Sequence, residues 1–180
     1  MKYLVLSDIH GAMSPLDKLL NKLDIESFNN IIILGDVLYH GPRNDLPKTY
    51  NPKMVIASLK NYNNKIIYIK GNCDAEVDEM VLDSSFIETF FIKIKESNIY
   101  FNHGHHNSKY NHNLNLNIND ILIYGHYHIF DYEKIDGINY INLGSVSIPR
   151  DNLYQYMIID DNFIKIFNIE NDKEIFSYEI

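Results

Sequence analysis

Four apolar residues, Ile31, Ile32, Ile33 and Leu34, run without polar interruption and end at Gly35-Asp36. Three of them are β-branched, and none alternates with a polar neighbour. Such a run reads as a strand buried on both faces, of the kind found in parallel or mixed sheets. A carboxylate placed where that strand ends sits on a rigid scaffold. It projects into the crevice at the strand tips, where open α/β sheets bind their ligands. Asp36 is therefore expected at the centre of the site, bridging two metal ions, with other loops converging on it.

The remaining constraints come from size and charge. A chain of 180 residues is long enough for one compact domain, 1–180, with a sizeable core. Its formal net charge is −8, so stable binding of nucleic acid, which needs a basic face, is not expected. Anionic small molecules stay in play, because bound divalent cations reverse the sign of a site locally. Cys73 is the only cysteine, which rules out an intrachain disulfide and suits the reducing cytoplasm. The apolar run Tyr3–Leu6 is too short for a secretory leader, and Asp8 interrupts it. No apolar stretch is long enough to span a bilayer, so no membrane association is expected.

In chain order, Tyr3–Leu6 is a first buried strand ending in Ser7-Asp8-Ile9-His10-Gly11. Ser14, Pro15 and Asp17 read as a helix start, with Leu16, Leu19, Leu20 and Leu23 on one face. The stretch 37–51, with Gly41-Pro42 and Pro47, is longer than most connections and is a candidate functional loop. Asn51-Pro52 opens a second helix with Val55, Leu59 and Tyr62 inward. Lys65–Ile69 is a third strand, and Asp74 is expected to cap a short helix carrying Val77, Met80 and Val81. Helices between strands imply parallel pairing, with every polar strand end on one edge. Phe86–Ile94 and Ile99–Asn102 read as strands joined near Glu96-Ser97-Asn98. The stretch 107–119 is compatible with a loop, an edge strand or a short helix. Ile121–Tyr124 is a buried strand. Asp136-Gly137 marks a hairpin between Phe130–Ile135 and Ile138–Leu143. Tyr156–Ile159, Phe163–Ile169 and Ile175–Tyr178 complete a second run of strands. The expected class is α/β: a sandwich of two mixed β-sheets flanked by helices.

The strand ends carry the chemistry. Asp8, His10, Asp36, Asn72, His103, His126 and His128 all lie there. Oxygen and imidazole without thiolate suit Mn, Fe, Zn, Ni or Co better than Ca. In Asp8-x-His10 and His126-x-His128 an extended chain puts both side chains on one side. Seven ligands are too many for one ion. Shared over two ions with Asp36 between them, they suit a clamp on the attacking and leaving oxygens of a phosphoryl displacement.

Asp8-x-His10, Gly35-Asp36, Gly71-Asn72, His103-Gly104 and Gly125-His126-x-His128 resemble, in order and spacing, the full motif series of the calcineurin-like metallophosphoesterases. Finer detail resembles the small bacterial YfcE-type phosphodiesterases: Gly35–Leu38 with His40–Asn44, then Gly71-Asn72-Cys73-Asp74, and Gly144–Pro149. The resemblance implies a metallophosphoesterase-type sandwich. It implies a phosphodiesterase that attacks small-molecule diesters in line with a hydroxide bridged by two divalent ions, manganese being the usual assignment. Asp8, His10 and His128 then hold one ion, Asn72, His103 and His126 the other, and Asp36 is shared. Asp36, Asn72, His103 and His105 are the expected catalytic groups. Related proteins often form symmetric assemblies, which leaves a homo-oligomer open.

Many members of the wider superfamily have His after Gly-Asn, where it is thought to protonate the leaving group. Here that position is Cys73, and His105 is the candidate donor instead. Cys73 is not expected to be a nucleophile, because thiol-dependent phosphatases place Arg six positions on and Glu79 stands there. Arg43, in the 37–51 loop, is weighed between holding a phosphate oxygen and pinning the loop or a subunit contact. Two other functions compete with the diesterase: a phosphomonoesterase on the same site, and a non-catalytic protein-binding module of the same fold. The complete ligand set favours an enzyme.

Overall fold

The computed structural model describes residues 1–180. In order it forms β1 (Tyr3–Leu6), α1 (Met13–Lys22), β2 (Asn30–Ile33), α2 (Pro52–Lys60), β3 (Ile66–Ile69), α3 (Glu76–Leu82), β4 (Phe86–Ile87), β5 (Phe90–Ile94), β6 (Ser97–Phe101), β7 (Ile121–Tyr124), β8 (Phe130–Ile135), β9 (Ile138–Leu143), β10 (Gln155–Ile159), β11 (Phe163–Asn168) and β12 (Glu174–Glu179). They make a seven-stranded sheet, β12-β11-β10-β1-β2-β3-β4, and a five-stranded sheet, β5-β6-β7-β9-β8. β1 to β4 run parallel, and β10, β11 and β12 are added antiparallel. In the second sheet β6, β7 and β9 are parallel, with β5 and β8 antiparallel at the edges.

The Ile31–Leu34 run is buried on both sides, as its lack of alternation requires. Ile31 and Ile33 join the core under the helices, with Leu16, Leu19, Val55 and Leu59. Ile32 and Leu34 join the core between the sheets, with Val5, Ile99, Ile123 and Met157. All three helices cover the seven-stranded sheet. On the outer face of the other sheet Leu114 and Leu116, from the 107–119 stretch, pack against Leu122, Tyr124 and Tyr140. That stretch is an irregular loop with one isolated bridge, Ser108–Asn111.

Several local expectations give way to longer-range contacts. Ser14 does not cap α1: Ala12 holds the cap position without a side-chain bond. Thr49 supplies the missing acceptors instead, its carbonyl to Met13 N–H at 3.1 Å and its hydroxyl to Ser14 N–H at 3.3 Å. Asn51 does cap α2, accepting from Met54 N–H. Phe86–Ile94 is not one strand. The chain breaks at Glu88-Thr89, so that β4 pairs with β3 and β5 with β6 in the opposite sheet. Three apolar residues of α3, Val77, Met80 and Val81, face solvent: they are 55%, 78% and 36% exposed. Only Leu82 and Asp78 of that helix are buried, and Asp78 accepts from Ala75 N–H at the helix's own start.

Candidate metal centre

Parallel pairing brings the C-terminal ends of β1, β2 and β3 to one rim, and the ends of β6 and β7 meet them from the second sheet. His103 Nδ1, just after β6, donates to Leu34 O at 2.7 Å, and His126 N–H, after β7, donates to Asp8 Oδ2 at 3.0 Å. These two bonds tie the sheets together at the rim.

His10 Nδ1 likewise donates to Tyr39 O (2.7 Å), and His128 Nδ1 to Ile148 O (3.1 Å). A carbonyl only accepts, so in each neutral ring the hydrogen sits on Nδ1 and the Nε2 lone pair is presented to the centre. Metal-binding histidines are oriented in this way. The Nε2 atoms gather on two carboxylates. Asp8 Oδ1 lies 3.1 Å from His128 and 3.7 Å from His10. Asp36 Oδ2 lies 3.6 Å from His10 and 3.5 Å from His103. His103 Nε2 is 3.0 Å from Asn72 Oδ1, and the His126 ring stands 5.1 Å from that of His103. All seven expected side chains thus meet in one place.

This donor set fits divalent cations. Asp8 Oδ1 is buried with no hydrogen-bond partner. His10 and His128 bring their Nε2 atoms within 3.3 Å of each other. Asp8, His10 and His128 form one compact trio, and Asp8, Asp36 and His103 another. A cation satisfies an orphaned carboxylate oxygen and two facing lone pairs together.

Protons compete for the same atoms. Burial opposes ionisation of Asp8, but the His10 and His128 imidazoles beside it hold it well below the usual carboxylate range. Burial would likewise raise Asp36, yet His103 keeps it lowered. Burial alone would lower His103, but the hydrogen bond to Asp36 and the charges of Asp8 and Asp36 push it up to about 9. His103 therefore holds its proton more tightly when folded than at its ordinary 6.5, and that protonation stabilises the fold fully below pH 6.5 and not above about 9. Protein treated with chelator should lose thermal stability across this window. Metal-loaded protein should not, because metal binding requires the neutral imidazole. Calorimetric melts from pH 6 to 10, with and without chelator, check this; matching curves would contradict it.

The rim is held under backbone strain. Asp8, His10, Asp36, His126 and His128 all have positive φ, between 49° and 69°. The left-handed region costs about 1–2 kcal/mol for an L-residue and persists at functional sites where surrounding contacts over-determine it. Gly35 (φ 99°) lies so close to Gly71 that a Cβ would come within 2.6 Å of Gly71 N. A Cβ on Gly125 would collide with Ser7 Oγ and come within 2.6 Å of Asp8 Oδ2. Gly125→Ala is therefore expected to displace Asp8 and lower kcat about 100-fold, the cost of an ångström's misplacement. Steady-state kinetics on an aryl diester would measure it, with circular dichroism reporting an intact fold.

The shell behind these residues was not legible by spacing. Asp74 does not cap α3. Its carboxylate accepts from Asp36 N–H (2.8 Å), Val37 N–H (2.9 Å) and Gly71 N–H (2.8 Å), clamping two strand ends. Burial pushes it up to about 6 against the pull of these donors, so the carboxylate is the form present at neutral pH. Ser145 and Ser147 donate to Asp8 O at 2.8 and 3.0 Å. Cys73 acts through its N–H, which reaches Asp36 Oδ1 at 2.8 Å. Burial and the Asp36 charge push its thiol pKa up to about 12. His105 lies 5.3 Å from His103, ring to ring. Burial and the charges of His103 and His106 push its pKa down from the ordinary 6.5 to about 4. His112 binds Tyr140 O–H away from the site (3.0 Å).

Residues 1–162 match the Calcineurin-like phosphoesterase superfamily domain. The chain belongs to that superfamily. Phosphodiesterase YfcE of Escherichia coli K12 is 36% identical over 177 residues, covering 97% of this chain and 95% of the relative. The solved structure of that E. coli phosphoesterase superposes with a TM-score of 0.92 at 35% identity, over the full length of both chains. Phosphodiesterase MJ0936 of Methanocaldococcus jannaschii is 26% identical over 151 residues, covering 80% of this chain and 83% of its own. Vps29 of Cryptosporidium parvum shares the fold, with a TM-score of 0.63 at 16% identity over 99% and 97% of the two chains. The calcineurin-like fold is thus the two-sheet sandwich with three helices described above. Its members use divalent metals, and this chain carries candidate groups for them.

Proposed function

We propose that the chain is a phosphodiesterase that needs two divalent cations. One observation carries the reading: Asp36 Oδ2 faces the Nε2 atoms of His10 and His103 from between them, at 3.6 and 3.5 Å. In this reading Asp8, His10 and His128 hold one cation, Asn72, His103 and His126 the other, and Asp36 is shared. Cations bound there would lower the pKa of water and offset charge on the phosphoryl oxygens; the resemblance to the YfcE-type phosphodiesterases favours manganese over Ni, Fe, Zn and Co.

The chain's own residues do the rest. Tyr39 O, Leu34 O and Ile148 O fix the three rings so that no reorganisation is needed during turnover. Asp74 and Ser145 hold the Asp36 and Asp8 backbones. Asn72 and His126 line the open side, where a phosphate enters. The full-length likeness to a named phosphodiesterase supports the diester class, and the single free Cys73 supports a cytosolic location.

Parallel assays on bis(p-nitrophenyl) phosphate and p-nitrophenyl phosphate test this. The diester should be cleaved at least tenfold faster. Chelator should abolish turnover, and manganese should restore it best. A faster monoester would install the phosphomonoesterase reading. Turnover of neither substrate after metal loading would leave a binding module.

A further inference from the structure

The chain uses 14 lysines and only two arginines, Arg43 and Arg150. Both line the cavity of about 330 Å³ at the metal centre, and both also line a second cavity of about 770 Å³ beside it. They therefore stand where the two spaces meet. The outer cavity adds Lys18 and Lys48 to the arginines, against Asp45 and Glu170, so it is locally cationic in a chain of net charge −8.

A backbone bond ties Arg150 to the centre, and a side-chain bond holds the loop that carries Arg43. Arg150 N–H donates to His128 O at 2.8 Å. The loop of Arg43 is held by Asn44 Nδ2 on His40 O (2.8 Å), next to Tyr39, whose carbonyl orients His10. Neither guanidinium forms an ion pair within the chain, although twelve other contacts of that kind exist. Arg43 therefore does not pin its loop by charge. A guanidinium presents a planar fork that matches two phosphate oxygens, and two such forks suit a dianion.

We propose that Arg43 and Arg150 hold a second phosphate next to the scissile one, and that the substrates are phosphoanhydride diesters whose organic group lies in the outer cavity. The proposal rests on the phosphodiesterase reading above. The outer cavity is within the size range of small-molecule sites and admits a nucleoside-sized group. In the reaction a water oxygen bonds to the phosphorus at the metal centre. The bridging P–O bond breaks, and its electron pair leaves on the second phosphate; the water proton passes to solvent. No redox partner is needed. The departing charge appears where the two guanidinium groups stand, so they stabilise the transition state more than the ground state.

The test uses full-length, manganese-loaded protein and two substrates, bis(p-nitrophenyl) phosphate and P1,P2-di(adenosine-5′) pyrophosphate. Wild type should cleave both. In Arg43→Ala and in Arg150→Ala, the ratio of kcat/KM for the pyrophosphate to that for the aryl diester should fall at least tenfold, with Arg→Lys variants recovering part of it. Calorimetric titration of chelator-treated protein with inorganic pyrophosphate gives a second readout. Binding should weaken at least tenfold in the double variant. An unchanged ratio, or equal pyrophosphate binding by wild type and double variant, overturns the proposal. So does cleavage of the aryl diester without the pyrophosphate. Failure on both substrates counts instead against the phosphodiesterase reading and removes the ground for this one.

Discussion

Asp36→Asn is expected to lower kcat by at least about 10³-fold, because in the proposed reading the cations would supply several kcal/mol of transition-state stabilisation. The substitution keeps the shape of the side chain. Its amide oxygen can still accept from Cys73 N–H, which now meets Asp36 Oδ1 at 2.8 Å. The NH2 group then takes the place of Oδ2, between His10 and His103. An N–H donor there cannot bridge two cations, and the shared negative charge is gone. Metal content by mass spectrometry should fall in the same preparations that lose turnover. Near-normal activity in a metal-loaded variant would refute the bridging role.

Asp74→Ala should cost about 3–5 kcal/mol of stability. It strands three backbone N–H groups in a buried place, each of which loses a charge-assisted bond. For a chain of this size that corresponds to a fall in Tm of roughly 10 °C. Activity should fall with it, since Asp36 and Gly71 are no longer held together. Asp74→Asn should lie between, because one acceptor oxygen survives while the new NH2 faces a donor. Urea and thermal melts measure the effect. A Tm within 2 °C of wild type would show that the clamp does not bear on stability.

The two predictions divide along what a linear reading can see. Asp36 is legible because it ends a buried β-branched run and stands in order with four other strand-end motifs. Asp74 does not, because its partners lie 3, 37 and 38 residues away and are backbone groups, which carry no residue signature. The same holds for Thr49 at the start of α1, for Ser145 and Ser147 behind Asp8, and for Arg150.

The sequence by itself determined the strands, the sandwich class and the residue types at the rim. Periodicity and chain reversal are local: Ile31–Ile33 has to be covered on both sides, and Asp136-Gly137, both at positive φ, has to turn β8 into β9. Tertiary structure alone decided the break at Glu88-Thr89 between sheets, the outward face of α3 and the left-handed backbone at five site residues. The physical reason is that these depend on which distant groups satisfy a hydrogen bond or cover a side chain. That information exists only once the two rims have met.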